Sequence, residues 1–263
     1  MKILVPVKQA ALVEDDFELR DDGRDVDPDF VDLQLNEWDD YSLETALQLK
    51  ESHDGIEVVA VTVGDDDAED ALRTCLAKGA DRAIRVWDDE LGDADPVVIA
   101  RVLAAVAQRE TPDLVLAGTQ SSDLGFSATG VAMATFMGWP HAAVVVALDY
   151  SPGAATATVE RELEGGLRQR LEIDCPAVLT IQLGINTPRY ASLRGIKQAR
   201  SLPVEELTPE DLGLEAQDVG EQACGARVRK MYLPEKGQAE MIEGTPAQQA
   251  ERIAAIVKEV MGG

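Results

Sequence analysis

Four short apolar runs punctuate the first half of the chain, and each is followed by a stretch with helical spacing. The runs are Ile3–Val7, 56–63, Arg82–Trp87 and Leu114–Ala117. Ile3–Val7 is apolar on successive positions instead of alternating, which predicts a strand buried on both faces; 56–63 and Arg82–Trp87 read as further strands and Leu114–Ala117 as a fourth, buried one. Between them, Tyr41, Leu43, Ala46, Leu47 and Leu49 fall on one helical face, so a helix is expected over Tyr41–Ser52. A second helix is expected over Ala68–Lys78, closed by Gly79. A third opens at Asp95-Pro96, an N-cap followed by proline at the first helical position, and runs to about Arg109. A fourth is expected over Phe126–Met137, ended by Gly138. Strands alternating with helices in this rhythm predict a doubly wound, mostly parallel α/β sheet of Rossmann-like kind. Such sheets bind ligands in the crevice beyond the strand C-termini.

After Pro140 the rhythm changes. Ala142–Leu148, Ala155–Glu162, Leu167–Ile173 and 177–183 read as strands separated by turns, which predicts an antiparallel meander extending the sheet. The turn-rich acidic stretch Glu14–Asp32 carries Asp22-Gly23, a hairpin tip. Beyond Leu202 the chain turns polar and irregular over Val204–Gln222 and ends in a helix-like segment, Ala247–Val260. We therefore divide it into an α/β domain over 1–202 and a C-terminal arm over 203–263, which has too few apolar residues for a core and is expected to lie on a partner.

Composition narrows the function. Of 263 residues, 49 are Asp or Glu and 24 are Lys or Arg, a formal net charge of −25. That field repels nucleic acid and anionic membranes, so neither is expected as a partner. The acids are scattered (Asp21-Asp22, Asp39-Asp40, Asp65-Asp66-Asp67) and mark no single face. They fit an adaptation to high salt, in which screening offsets self-repulsion, or else an acidic functional surface. Cys75, Cys175 and Cys224 are far apart and form no CxxC pair, so no metal site is expected and a reducing cytoplasm fits. The chain opens on Lys2-Ile3-Leu4-Val5 with no leader pattern and has no long apolar span, so no membrane insertion is expected. His53 and His141 lack a nucleophile or acid partner in any recognisable spacing, and no catalytic residue is assigned.

One candidate ligand site follows from the residues. Gly118, Thr119, Gln120, Ser121, Ser122 and Asp123 follow a buried strand, and the next helical stretch begins near Ser127, Ala128 and Thr129. Small residues admit close backbone approach, and a helix start offers free N–H groups and positive dipole to an anion. The same pattern also describes an ordinary βα loop, since no GxGxxG or P-loop sequence is present.

The stretch 159–199 adds a resemblance. Val159-Glu160-Arg161-Glu162-Leu163-Glu164-Gly165-Gly166, then Pro176-Ala177-Val178-Leu179-Thr180, then Asn186-Thr187-Pro188-Arg189-Tyr190-Ala191-Ser192-Leu193 closely resemble the β subunits of electron transfer flavoproteins, of an acidic, haloarchaeal-like kind. Val5-Pro6-Val7-Lys8, 36–44, Lys78-Gly79-Ala80-Asp81 and 118–130 also have counterparts there. The resemblance implies a heterodimer with an α subunit that holds most of an FAD, and a structural AMP in this chain. It implies electron flow from acyl-CoA-type and other flavin dehydrogenases toward a membrane quinone reductase, with no bond-making chemistry in this subunit. It places AMP contacts on Pro6, on Asn36, Glu37, Trp38 and Asp39, on Val63 and on the 118–129 loop. It places dehydrogenase docking on Leu193, with Pro188, Arg189 and Tyr190 beside it, and a tether to α on Glu162. Departures are visible. Asp123 stands alone where relatives carry a run of aspartates, and Ala10, Ala11, Leu12 and Val13 follow Lys8 where relatives place an aromatic near the flavin. Two alternatives stay open: a bifurcating-type subunit with a second FAD in place of AMP, and a stand-alone adenine-nucleotide-binding protein of the stress type.

Overall fold

The apolar runs do form the centre of a sheet. In the computed structural model, which describes residues 1–13, 17–233, 239 and 241–262, the elements in chain order begin with β1 (Lys2–Pro6), β2 (Gln9–Val13), β3 (Val31–Leu35), α1 (Glu37–Ser52), β4 (Glu57–Val63) and α2 (Glu69–Lys78). They continue with β5 (Arg82–Val86), α3 (Pro96–Glu110), β6 (Leu114–Gly118), α4 (Thr129–Met137), β7 (His141–Asp149), β8 (Thr156–Glu162) and β9 (Arg168–Asp174). The last are β10 (Ala177–Ile181), α5 (Leu193–Ala199), β11 (Glu205–Leu207), α6 (Ala216–Val219) and α7 (Pro246–Met261). Nine strands make one sheet in the order β11-β5-β4-β1-β6-β10-β7-β8-β9. Strands β11 to β7 in that order are parallel, and β7-β8-β9 are antiparallel.

Both faces of the central strands are covered, which is why those strands are apolar at most positions, with buried Thr62 of β4 and Thr180 of β10 as polar exceptions. On one face Ile3, Val5, Leu114, Leu116 and Leu179 pack with Leu43, Leu47, Leu72 and Leu76 of α1 and α2. On the other, Leu4, Val59, Val61, Val115 and Val178 pack with Val98, Val102 and Val106 of α3 and Met133 of α4. Each such fully buried side chain contributes about 1.5–3 kcal/mol.

The expected meander is corrected at one strand. β10 does not follow β9 along the edge; it inserts between β6 and β7, parallel to both. Its five residues are all buried, a pattern that only an interior strand satisfies. The meander proper is β7-β8-β9. Val144 breaks β7 with φ 62, where its N–H donates to Thr180 Oγ1 at 3.0 Å. A positive φ at a β-branched residue is strained.

Three further differences are local. The helix expected from Phe126 starts at Thr129, because Ser127 takes a left-handed φ of 52. α1 starts four residues ahead of Tyr41, directly after Asn36. β2 and β3 form a separate antiparallel ribbon, Gln9 against Leu35 through Val13 against Val31. The Asp22-Gly23 tip lies on it, with Leu19 bridged to Val26 and Gly23 at φ 64; Glu14, Asp15 and Asp16 lie outside the described residues.

The segment read as irregular, 204–222, is partly ordered on this chain itself. β11 pairs with β5, and Leu207, Leu212, Leu214 and Val219 pack on the α3 side of the sheet. Asp95 caps α3 at the N–H groups of Val97 and Val98, and its second oxygen accepts from Gly225 at 2.8 Å and Ala226 at 3.1 Å. Beyond that point Val228, Tyr232, Leu233 and Met241 are exposed, and α7 has no buried residue; 234–238 and Glu240 lie outside the described residues.

Candidate functional site

The chain leaves β1 toward β4 and β5 on one side, then crosses by α3 to β6 on the other. The switch point is therefore between β1 and β6, and a cavity of about 310 Å³ opens there beyond the strand ends. Pro6 of β1, Val63 of β4 and Gly118 of β6 form its floor, Asn36 just before α1 and Asp39 in its first turn line one side, and the 119–121 and 127–129 segments complete the polar wall. An apolar wall faces it, made by Trp87, Leu91, Ile99, Leu103 and Phe126.

The polar wall is held by a few buried side chains. Asn36 donates to Gln120 O at 2.9 Å and accepts from Ser122 N at 3.1 Å, which pins the loop after β6. Asp39 accepts from Lys8 N at 2.7 Å and from Gly118 N at 3.1 Å, so α1 is fixed to β1 and β6 together. The contact requires glycine: a Cβ on Gly118 would stand 2.2 Å from Asp39 Oδ1 and 2.8 Å from Trp38 Cβ. Gly130 plays the same part for α4, since a Cβ there would be 2.7 Å from Thr180 Cγ2.

The charges here are balanced unevenly. Burial pushes the Asp39 carboxyl up to about 7, against the downward pull of hydrogen bonds from Lys8 N, Asn36 and Gly118 N. Burial also raises Asp123, but the ammonium of Lys8, 2.6 and 2.7 Å from its oxygens, outweighs that and holds it below its ordinary value. The loop's one free-standing acid is therefore neutralised by Lys8, two residues past the end of β1. α4 begins without a side-chain cap at Ala128, so its first N–H groups face the cavity loop with their dipole uncompensated.

Eleven of the fifteen expected nucleotide contacts line this cavity: Pro6, Asn36, Asp39, Val63, Gly118, Thr119, Gln120, Ser121, Ser127, Ala128 and Thr129. Glu37 is exposed and does not line it. Trp38 turns away and donates to Gln182 Oε1 at 2.8 Å. Ser122 meets Asn36 through its backbone, and Asp123 is taken by Lys8. Sequence reasoning passed over Lys8, which lines the cavity beside Val7, and the α3 wall of Ile99 and Leu103. Lys8 was legible as the polar end of a buried strand. Ile99 and Leu103 carry only the periodicity of a core helix.

The second expected surface lies on the α1 side. Leu193 opens α5 and is 88% exposed, so it is no core residue of that helix, and Tyr190 is 98% exposed. Arg189 points the other way, onto Glu44 Oε2 at 2.8 Å and onto Glu51. Pro188 is half-buried. Glu162 is exposed at the end of β8, in register with Arg168. Among the described residues no group of His, Cys, Asp and Glu could hold a metal ion, and no helix is long and apolar enough to cross a membrane.

The electron transfer flavoprotein domain matches residues 28–212. The chain is similar to an electron transfer flavoprotein subunit beta of Methylophilus methylotrophus, 58% identical over 263 residues and all of both chains. It is similar to the mitochondrial subunit beta of Arabidopsis thaliana, 38% identical over 81% of this chain and 83% of that one. It is also similar to the subunit beta of Bacillus subtilis, 32% identical over 89% of each.

Proposed function

The chain belongs to the electron transfer flavoprotein β subunits, and on that premise we propose that it is the partner-choosing half of a two-chain electron carrier, with AMP held at the β1/β6 switch point. Membership makes it a component of an electron carrier and implies an α subunit. In this reading α carries the FAD, flavin dehydrogenases of the acyl-CoA type donate electrons, and a membrane quinone reductase accepts them. This subunit contributes geometry: electron transfer depends on bringing redox groups close, and its surface decides what docks.

The cavity's residues fit AMP. The uncapped start of α4, with Ser127 and Thr129, suits a phosphate, and Ile99 and Leu103 of the apolar wall with Val63 of the floor suit a base. AMP would supply no redox chemistry; bound, it ties β1, α1, α4 and the loop after β6 into one rigid body. The stand-alone reading is disfavoured by the apolar side of α7, where Ile253, Val257, Val260 and Met261 are exposed.

The observation that carries the docking role is Leu193, an 88% exposed leucine on a segment held at both sides. Such an anchor, seated in a partner's apolar pocket, belongs to the small set of residues that dominate an interface. Leu193→Ala in the α–β complex is expected to slow reduction by a dehydrogenase about tenfold or more, with flavin content unchanged. Unaltered electron transfer would remove the anchor role.

A further inference from the structure

The docking segment is short and irregular between Ile185 and Ser192, and exposed loops of that kind are ordinarily the soft part of a domain. Here it is bolted from below. Arg189 spreads its guanidinium over two acids of α1: Nε reaches Glu44 Oε2 at 2.8 Å, one terminal nitrogen reaches Glu44 Oε1 at 3.0 Å and Glu51 Oε2 at 3.1 Å, and the other meets Glu51 Oε1. Its backbone N–H also donates to Glu44 Oε2 at 3.2 Å. Glu44 is 5% exposed and Glu51 largely exposed. Burial pushes the Glu44 carboxyl up, but the bonds from Arg189 and Gln48 outweigh it and hold it ionised below its ordinary value. One turn away on the same face of α1, Asn186 donates to Tyr41 O at 3.1 Å and to Thr45 Oγ1 at 2.8 Å.

The far end is fixed to α2. Ser192 caps α5 by accepting from Gly195 N at 3.0 Å, and Gly195 lies so close to α2 that a Cβ would stand 2.2 Å from Ala77 O. Arg73 of α2 donates to Ala199 O at 2.7 Å and Leu202 O at 2.5 Å. Tyr190 and Leu193, the two most exposed large hydrophobic side chains among the described residues, sit between these two bolts.

We infer that Arg189, locked across Glu44 and Glu51, is a positioning residue for docking: it touches no partner itself but fixes the conformation in which Tyr190 and Leu193 are presented. The inference rests on the docking role proposed above. Holding the segment before encounter removes ordering entropy from the association step, so the brace acts on affinity and leaves the electron-transfer step untouched. Arginine suits the place because its planar fork makes four bonds to the two carboxylates at once, where lysine offers a single point charge.

The test uses the α–β complex with an acyl-CoA dehydrogenase and its acyl-CoA substrate. Arg189→Met is expected to raise the KM for the carrier about tenfold with kcat and flavin content held, and to speed amide exchange across 189–195. Arg189→Lys, which keeps a cation beside Glu44, covers the case in which Arg189→Met does not fold. It is expected to shift KM in the same direction by a smaller factor. Leu193→Ala serves as the reference. If Leu193→Ala raises KM and both Arg189 variants leave it unchanged, the brace is overturned and docking stands. If Leu193→Ala also leaves KM unchanged, the docking role falls and the brace falls with it.

Discussion

Asp39 is the residue on which the cavity turns. Its two oxygens answer two backbone N–H groups, one from Lys8 just past β1 and one from Gly118 at the end of β6, and its burial raises its carboxyl to about 7. A carboxyl with a folded pKa above the unfolded value binds its proton more tightly in the native state. Between pH 4 and pH 7 this residue therefore lowers stability as pH rises, by ~1.4 kcal/mol per unit at most. Glu110 acts oppositely. It is 6% exposed, burial raises it, and bonds from Arg82 and Lys2 outweigh burial and bring it down to about 2. Its contribution is complete above its unfolded value near 4.5 and is lost as pH falls toward 2. Urea unfolding is thus expected to show a maximum on the acid side of neutrality. Asp39→Asn should flatten the decline above pH 5, and should cost about 1–3 kcal/mol at pH 5, because an amide has one acceptor oxygen for two donors. A wild-type curve that rises from pH 5 to pH 7.5 would refute the assignment.

The elements show which parts of the fold are written locally. Asp95-Pro96 announces α3, and Gly79 and Gly138 close α2 and α4 at φ 128 and 65, because those requirements are met within a few residues. The strand runs were equally legible, since burial on both faces makes Ile3, Leu4 and Val5 apolar in succession. Strand order was not. Ala177–Ile181 reads alike as the next strand of a meander or as an interior strand, and only its pairing with β6 and β7 decides. The β2–β3 ribbon was missed because its exposed Leu12 and Leu33 carry no buried periodicity. The loop after β6 was found from its small residues and its place between strand and helix, whereas the α3 wall was not, since Ile99 and Leu103 look like ordinary core positions. The joint between α1 and β6 makes an element-scale test. Gly118→Ala drives a methyl to 2.2 Å from Asp39 Oδ1 and must displace the start of α1. Bound nucleotide is expected to be lost from the purified complex, together with about 2 kcal/mol or more of stability. Full nucleotide retention would show that the cavity is not where the nucleotide sits.

At the scale of the whole molecule two features ask for something outside the chain. The first is the apolar side of α7: Ile253, Val257, Val260 and Met261 lie on a helix with no buried residue. The polypeptide up to about Ala226 is tied to its own domain, by β11 on β5, by Arg82 and Arg109 on Glu205, and by Asp95 on Gly225. Further along, Met231 N donates to Gly23 O at 2.7 Å, and on the proposed reading α7, with its exposed apolar side, is the part that reaches the α subunit. The second feature is the net charge of −25. Self-repulsion of that size opposes compaction in dilute buffer, and screening relieves it within a Debye length of ~10 Å at 0.1 M salt. The melting temperature of the complex is expected to rise as KCl increases toward molar levels. A flat or falling curve would leave the acidity to be explained by an acidic functional surface.

These scales meet in one claim: the cavity at the β1/β6 switch point belongs to a mononucleotide, in a subunit that works only with a flavin-bearing companion. Co-purifying the chain with its α subunit, denaturing the complex and quantifying the released nucleotides tests it most directly. The account predicts one FAD and one AMP per complex. Two FAD and no AMP, or a colourless chain that retains no companion, would contradict it.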